Sequence, residues 1–184
     1  MNFPESRFWN YSVQTYQLPV VEQICLKLQN DFQADVNMVL YCCWTGDQQL
    51  RLNSDDISAL ITTSAPWQDA ILKPLRNARK TVKQHIIAMP ADLLDQTMGN
   101  MKQMEINAEH LQQLELEKVL DLNEKTPSED ASKVTITAAN LALYFQHLET
   151  VSAINDVADE LTQLLDAIYQ DEEATQLALM SAAG

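Results

Sequence analysis

Residues 36–46 read VNMVLYCCWTG, and this stretch decides the fold. From Met38 to Trp44 every residue is apolar or aromatic, so a helix formed here has no polar face to turn toward water. We therefore predict that this helix lies at the centre of the core. Asp35 precedes it as an N-cap residue, and Gly46 is predicted to follow its end as a C′ glycine.

The composition predicts helices on both sides of this stretch. Glycine occurs only three times in 184 residues, where an average chain of this length contains about a dozen. So few glycines cannot supply the tight turns of a β-sandwich or barrel. The chain is 46% hydrophobic and 21% charged, which suits one domain with a sizeable core. We predict a single all-α domain over residues 1–184.

Residues 1–90 are predicted to form a compact core of five helices, because apolar side chains recur there at helical spacing. Ser54 is predicted to be the N-cap residue of a short fourth helix. The fifth is expected to begin near Trp67, to continue to about Ala88, and to kink or break at Pro74. The predicted buried stripe of this fifth helix is Trp67, Ile71, Leu75, Ala78, Val82 and Ile86.

Residues 91–170 are predicted to form a long antiparallel helical hairpin around a polar loop at 123–133. Its second stripe runs from Leu141 to Ile168. Residues 171–184 are weakly patterned and are expected to be a frayed tail whose removal costs little stability. The seam of the first hairpin helix has coiled-coil-like spacing: Leu94, Met98, Met101, Met104, Ala108 and Leu111. With Met89, these methionines are interpreted either as core filling or as an adaptable partner surface.

Charge is distributed unevenly along the chain. The net charge is −14, and residues 1–90 contribute none of it, since eight bases there balance eight acids. Residues 91–184 carry 18 acids and four bases. This excess of acid argues against general nucleic-acid binding, which requires surplus Lys and Arg, and against adhesion to anionic membranes.

The cysteines and the N-terminal sequence predict a cytoplasmic protein. Cys25, Cys42 and Cys43 are odd in number, and the adjacent pair does not favour a disulfide, so we expect buried thiols. Residues 1–7 show no basic segment followed by an apolar one, as a signal peptide would have. No apolar run is long enough to span a bilayer.

Motifs for common catalytic and cofactor chemistry do not occur. The cysteines, with His85, His110 and His147, do not have the spacing of a zinc site, and we predict no metal. No G-x-S-x-G or glycine-rich phosphate loop is present, and no D-x-x-x-D or E-x-x-H pattern recurs on two helices. The sequence therefore implies neither a cofactor nor catalytic residues.

Two features remain as candidate binding sites. Asp35 and Asn37 begin an otherwise apolar helix, and are either cap residues or a buried polar pair that faces a pocket. Five of the twelve bases fall within eleven residues, and Arg76, Lys80 and Lys83 recur at spacing 4 and 3. This basic stripe either binds an acidic group or is neutralised by acids of the same chain. Its members are Lys73, Arg76, Arg79, Lys80 and Lys83.

A series of short motifs runs through residues 3–90. They are Phe8-Trp9-x-Tyr11-Ser12, Tyr16-x-x-Pro19, Ala34-Asp35-Val36-Asn37, Trp44-x-Gly46, Trp67 and Pro74-Leu75-Arg76-x-x-Arg79-Lys80. In this order they resemble a proteobacterial family of uncharacterised proteins, the domain of unknown function 2390. Members often have glycine after the proline of the second motif, where this chain has Val20. The resemblance implies no activity, cofactor or catalytic residue.

Together these observations predict a non-enzymatic interaction or adaptor protein. It would bind an acidic or protein partner, or a second copy of itself, through the basic stripe or the methionine-rich hairpin. The alternative is a small-ligand-binding protein or small enzyme. Its pocket would then be formed by Asp35, Asn37, Trp44, Trp67 and Arg76.

Overall fold

A computed structural model describes residues 2–84 and 88–183, and these residues form helices and connecting turns without any strand. The predicted all-α class is confirmed. The α-helices are α1 Arg7–Tyr16, α2 Val21–Asp31, α3 Val36–Asp47, α4 Ser54–Trp67, α5 Lys73–Lys83, α6 Ala91–Leu116, α7 Lys133–Phe145, α8 Ala158–Tyr169 and α9 Glu172–Ala183. A π-helical turn, Gln68–Leu72, joins α4 to α5, and a 3-10 turn, Ile154–Val157, precedes α8. Among the described helices, none has the length and hydropathy needed to cross a membrane.

Helix α3 lies at the centre of the core, as its sequence predicts. It packs most extensively against α7 and also contacts α1, α2, α4 and α6. Its side chains from Asn37 to Gly46 are all buried, and the three cysteines of the chain are buried thiols. Burial on every side explains why this helix has no polar face.

Gly46 lies inside α3 and does not follow its end, so the predicted C′ role is wrong. The helix continues to Asp47, and Thr137 of α7 packs directly on the Gly46 backbone. Glycine at this position therefore reflects a contact between two helices, which local sequence rules do not consider.

Residues 54–83 form one continuous helical rod, so no new helix begins near Trp67 and none breaks at Pro74. The π-helical turn ends two residues before Pro74, and the N–H of Lys73, its C-cap residue, bonds to the Gln68 carbonyl five residues earlier. Asn53, and not Ser54, is the N-cap residue. Because the π turn rotates the register, the side chains buried along this part of the rod are Ser64, Gln68 and Leu72, with Ile71 and Ala78 exposed. The predicted buried stripe is wrong there, and Ile86 lies outside the described residues.

The predicted hairpin of residues 91–170 is not formed. Helix α6 packs along α5 and α4, whereas α7 lies between α3 and α9. The contacts Arg79–Glu105 and Arg76–Glu109 show that α5 and α6 run antiparallel. The loop expected at 123–133 is confirmed up to Ser132. The stripe 141–168 is buried or half-buried, but it is divided between α7, the 3-10 turn and α8.

Residues 172–183 form a docked helix, which corrects the prediction of a frayed tail. Helix α9 packs extensively on α7 and also on α8. Thr175, Ala178 and Leu179 are buried. The apolar stripe of α9 is short because this helix covers only one face of α7, and a short stripe gives a weak sequence signal.

The turn between α1 and α2 places a β-branched residue in an unusual backbone conformation. Val20 is the N-cap residue of α2 and has φ 63°, in the left-handed region that favours glycine. A β-branched residue is strained in this conformation. Glycine is therefore the residue that this turn geometry prefers after Pro19.

Candidate functional site

A buried polar network is centred on Asp35, at the point where α3, α4 and α6 meet. Asp35 Oδ1 accepts a hydrogen bond from the Asn37 N–H at 2.9 Å, which caps α3. Its other carboxylate oxygen accepts from the Ser64 hydroxyl and from Gln112 Nε2, the latter at 2.7 Å. The Tyr144 hydroxyl accepts from the Asp35 N–H at 2.8 Å. The cap interpretation of Asp35 is confirmed, and the same carboxylate also joins three helices.

Asn37 extends this network toward the C-terminal half of α6. Its Nδ2 donates to Gln112 Oε1 at 2.6 Å, and its Oδ1 accepts from Gln113 Nε2 at 2.7 Å. Gln112 Nε2 also donates to the Ser64 hydroxyl at 2.9 Å. These side chains fill the space between the helices, and hydrogen bonds of this kind compensate the burial of their polar groups.

The five residues of the predicted pocket are only partly brought together. Asp35 and Asn37 belong to the network, and Arg76 joins it through Gln68 Oε1 at 3.3 Å. Trp44 lies about 13 Å further along α3, where it stacks on Phe8 in the apolar core. Trp67 is half-buried and makes none of these hydrogen bonds.

The two arginines of the basic stripe are engaged within the molecule. Arg79 forms a bidentate pair with buried Glu105, at 2.6 and 2.9 Å. Arg76 Nη2 donates to Glu109 Oε1 at 2.8 Å. Burial raises the pKa of Glu109, while Arg76 opposes that shift. These pairs fix α5 on α6, so this part of the stripe is neutralised by acids of the same chain.

The lysines of the stripe have different surroundings. Lys73 pairs with Asp69 one turn away, while Lys80 and Lys83 are exposed and form no ion pair with any described residue. Lys102 of α6 is also exposed and lacks such a pair. Since Arg79 lies opposite Glu105 in the antiparallel arrangement, one further turn of α5 brings Lys83 opposite residues 101–102.

The first part of α6 leaves apolar side chains uncovered. No side chain from Ala91 to Met104 is buried, and Leu93 and Met104 are 48% and 54% exposed. Met89, Met98 and Met101 are half-buried. Ala108 is the one member of the predicted seam over 94–111 that is buried. The other buried side chains of α6 are Glu105, His110, Gln112, Gln113 and Leu116, so most of the predicted seam is not the buried face of this helix.

An aromatic cleft of about 510 Å³ lies between the N-terminal segment, α1 and α6. The imidazole of His110 stacks on the Trp9 indole, with ring centroids 3.9 Å apart and an interplanar angle of 5°. The Phe3 ring lies 4.1 Å from the same imidazole. Burial lowers the pKa of His110, so that the imidazole is neutral near pH 7.

Sequence reasoning missed the glutamines and glutamates of α6 that complete the network. Glu105, Glu109, Gln112 and Leu116 follow a spacing of 4, 3 and 4, which places them on one helix face. Their polar character made this face resemble a solvated one. Arg76 and Arg79 likewise lie within one turn of each other on α5, which was the available signal that α5 and α6 pair.

Replacing Asp35 by alanine is expected to lower the free energy of unfolding by about 2 kcal/mol, because a cap is lost and Ser64 and Gln112 lose their shared acceptor. Asp35→Asn keeps the cap acceptor and is expected to cost about half as much. Urea denaturation followed by circular dichroism measures both values. Equal stability of D35A and the wild type would contradict this account of the network.

Comparisons with known proteins show the family of the chain. No curated protein and no solved structure matches the chain. The model of a family described as "Protein of unknown function (DUF2390)" matches residues 7–116, which contain helices α1 to α6. The match thus includes both arginines of α5 and their acidic partners on α6. The chain belongs to the DUF2390 family.

Proposed function

We propose that the protein is a non-enzymatic interaction module that binds an acidic, amphipathic segment of a partner protein. The docking surface is formed by exposed lysines of α5 and α6 together with the uncovered apolar side chains of α6, and is called the α5–α6 surface. Its members are Lys80, Lys83, Leu93, Met98, Met101, Lys102 and Met104.

The observation that carries this proposal is the distribution of unpaired cations. Seven of the twelve bases form ion pairs with carboxylates. The other five form no ion pair with any described residue. Three of those five, Lys80, Lys83 and Lys102, belong to the α5–α6 surface. On a chain of net charge −14, such a local positive region favours an acidic partner and speeds its approach.

The apolar part of the surface supports the same occupant. Leu93 and Met104 are exposed beside half-buried Met98 and Met101, and methionine side chains adapt to partners of different shape. An acidic amphipathic segment would place apolar side chains on the methionines and carboxylates near the lysines.

The alternative of a ligand pocket at Asp35 receives less support. The side chains of the network occupy most of one another's hydrogen-bonding groups, and Gln113 Oε1 is its one buried side-chain atom without a partner among the described residues. We also propose the cytoplasm as the compartment, because buried unpaired thiols such as Cys42 and Cys43 suit a reducing environment.

Charge reversal tests the proposal. Immobilised wild type, K80E/K83E and the control K118E are incubated with native lysate, and captured proteins are quantified by mass spectrometry at low and high salt. Lys118 is an exposed lysine just beyond the C-terminal end of α6, where it pairs with Glu115. We expect proteins captured by the wild type and by K118E to be at least about tenfold less abundant on K80E/K83E. Their capture by the wild type should weaken at high salt.

Two further results would decide against the proposal. Capture of the same proteins in equal amounts by K80E/K83E and K118E would remove the α5–α6 surface as the site. Cross-linking from Lys83 must also reach an acidic stretch of the captured partner, and cross-links only to basic or neutral stretches would contradict the stated chemistry. Circular dichroism checks that the variants fold, since exposed substitutions usually change stability by less than about 0.5 kcal/mol.

A further inference from the structure

One face of α6 has the residue spacing of a helix that packs lengthwise on a second helix. From Leu93 to Leu114 its side chains follow one another at intervals of 4, 3, 4, 3, 4 and 3 residues, and none of them is buried. An average spacing of 3.5 residues over three heptads keeps one helix face turned toward a neighbouring helix. We call this face the outer seam. Its members are Leu93, Thr97, Asn100, Met104, Asn107, Leu111 and Leu114.

The charge of the outer seam favours a second copy of the chain as the helix that covers it. The seam contains no charged residue, although the chain has 12 basic and 26 acidic residues. Two copies of net charge −14 repel each other, so they approach most easily at a face without charge. The described helices of the same chain leave the seam exposed or half-buried, and the covering helix must therefore come from another molecule.

The order of residues in the outer seam suits an antiparallel pair. Leucine lies at both ends, Asn100 and Asn107 lie at equal distances from the centre, and Met104 lies next to the centre. In an antiparallel pair of α6 helices, Leu93 would face Leu114 of the second copy, and Asn100 would face Asn107 of the second copy. A two-fold symmetric dimer requires a self-complementary surface of this kind.

The distribution of charge on either side of Glu105 supports the same orientation. Residues 73–104, which include α5 and the first part of α6, contain six bases and two acids. Residues 105–184 contain three bases and 16 acids. An antiparallel pair places the basic segment of each copy beside the acidic segment of the other, whereas a parallel pair would bring the two acidic segments together.

We propose that two copies of the chain form a dimer through their outer seams, with the α6 helices antiparallel about a two-fold axis near residues 103–104. Asn107 Oδ1 already accepts from Gln103 Nε2 at 3.1 Å, so Asn107 Nδ2 would donate to Asn100 Oδ1 of the second copy. A buried amide pair of this kind fixes the alignment of two helices. The seam is about 32 Å long and one helix wide, which is small for an interface, and we expect a dissociation constant on the order of 1–100 µM.

The proposal goes beyond the α5–α6 surface. The two surfaces share Leu93 and Met104, but Leu111, Leu114 and the asparagines belong to the outer seam alone. We therefore expect L111E to capture the same lysate proteins as the wild type, and failure of one proposal leaves the other testable.

Sedimentation equilibrium of the full chain measures the dimer, with L111E as the disrupting variant and L26E as its matched control. Leu111 and Leu26 are 37% and 42% exposed, but Leu26 lies on α2, outside the seam. We expect L111E to weaken dimerisation at least about tenfold, because a carboxylate would be buried in an apolar contact, and L26E to dimerise as the wild type does. A wild type that is monomeric at about 1 mM, or equal dimerisation of L111E and L26E, would overturn the proposal.

Asparagine variants test which residues face each other across the dimer. In N100L or N107L, one amide would face a leucine and lose its partner, so we expect each single variant to dimerise at least about threefold more weakly. N100L/N107L would place leucine against leucine and is expected to dimerise at least as tightly as the wild type. Tighter dimerisation of N100L alone would indicate parallel helices, and additive weakening in N100L/N107L would show that the two asparagines do not meet. Either result would overturn the antiparallel dimer.

Discussion

Replacing Gly46 by alanine is expected to destabilise the protein by at least about 3 kcal/mol, although the substitution adds a single methyl group to a helix. A Cβ at Gly46 would lie 1.9 Å from Thr137 Oγ1 and 2.7 Å from Thr137 Cα. The hydroxyl of Thr137 could rotate away, but the Cα could not, so α3 and α7 would have to separate. Urea denaturation of the purified variant measures the loss.

Gly99→Ala is the matched control for this prediction. Gly99 also lies inside a helix, but an added Cβ would meet nothing within 4 Å. Alanine is the better helix former, so G99A is expected to be neutral or to stabilise the protein by up to about 1 kcal/mol. Similar stability of G46A and G99A would show that α3 and α7 do not approach as closely as described.

Removing residues 172–184 is expected to cost at least about 4 kcal/mol, a large part of the stability of an ordinary domain. Helix α7 is buried on two sides, by α3 and by α9, and deletion of α9 would expose one of them to water. Leu179 and Ala178 would no longer cover that face. We expect the truncated chain to unfold at much lower urea concentration, or to aggregate during purification.

Two leucines of α9 provide a finer test of the same docking. Leu179 is 8% exposed and Leu177 is 62% exposed. Leu179→Ser is expected to cost about 2–3 kcal/mol, and Leu177→Ser less than about 0.5 kcal/mol. Equal effects of the two substitutions, or full stability of the truncated chain, would restore the interpretation of residues 171–184 as a dispensable tail.

The prediction of individual helices succeeded where apolar side chains face a core. The run from Met38 to Trp44 indicated a central helix, and α3 is that helix. The predictions failed where a buried face is polar: the methionine pattern of α6 suggested an interface over 94–111, yet the buried side includes Glu105, Gln112 and Gln113. Periodicity of apolar residues cannot identify a face whose burial depends on hydrogen bonds to other helices.

The candidate sites were likewise predicted only in part from the sequence. The sequence singled out Asp35, Asn37 and the cluster of bases, but it left open whether the cluster faces solvent or acids of the same chain. In the structure, Arg76 and Arg79 pair with acids of α6, whereas Lys80 and Lys83 are exposed to solvent. The Trp9–His110 cleft had no local signal, because its members are a hundred residues apart.

By itself, the sequence determined the helical class, the identity of the central helix and the N-cap of α3, because these depend on propensity, patterning and contacts within a few residues. Only the tertiary structure decided which helices pair, that α9 docks, and why Gly46 must be glycine. Each of these depends on a neighbour distant in sequence: Glu105 for Arg79, α7 for α9, and Thr137 for Gly46. The energy of such contacts arises from shape and hydrogen bonding between surfaces that local patterns do not encode.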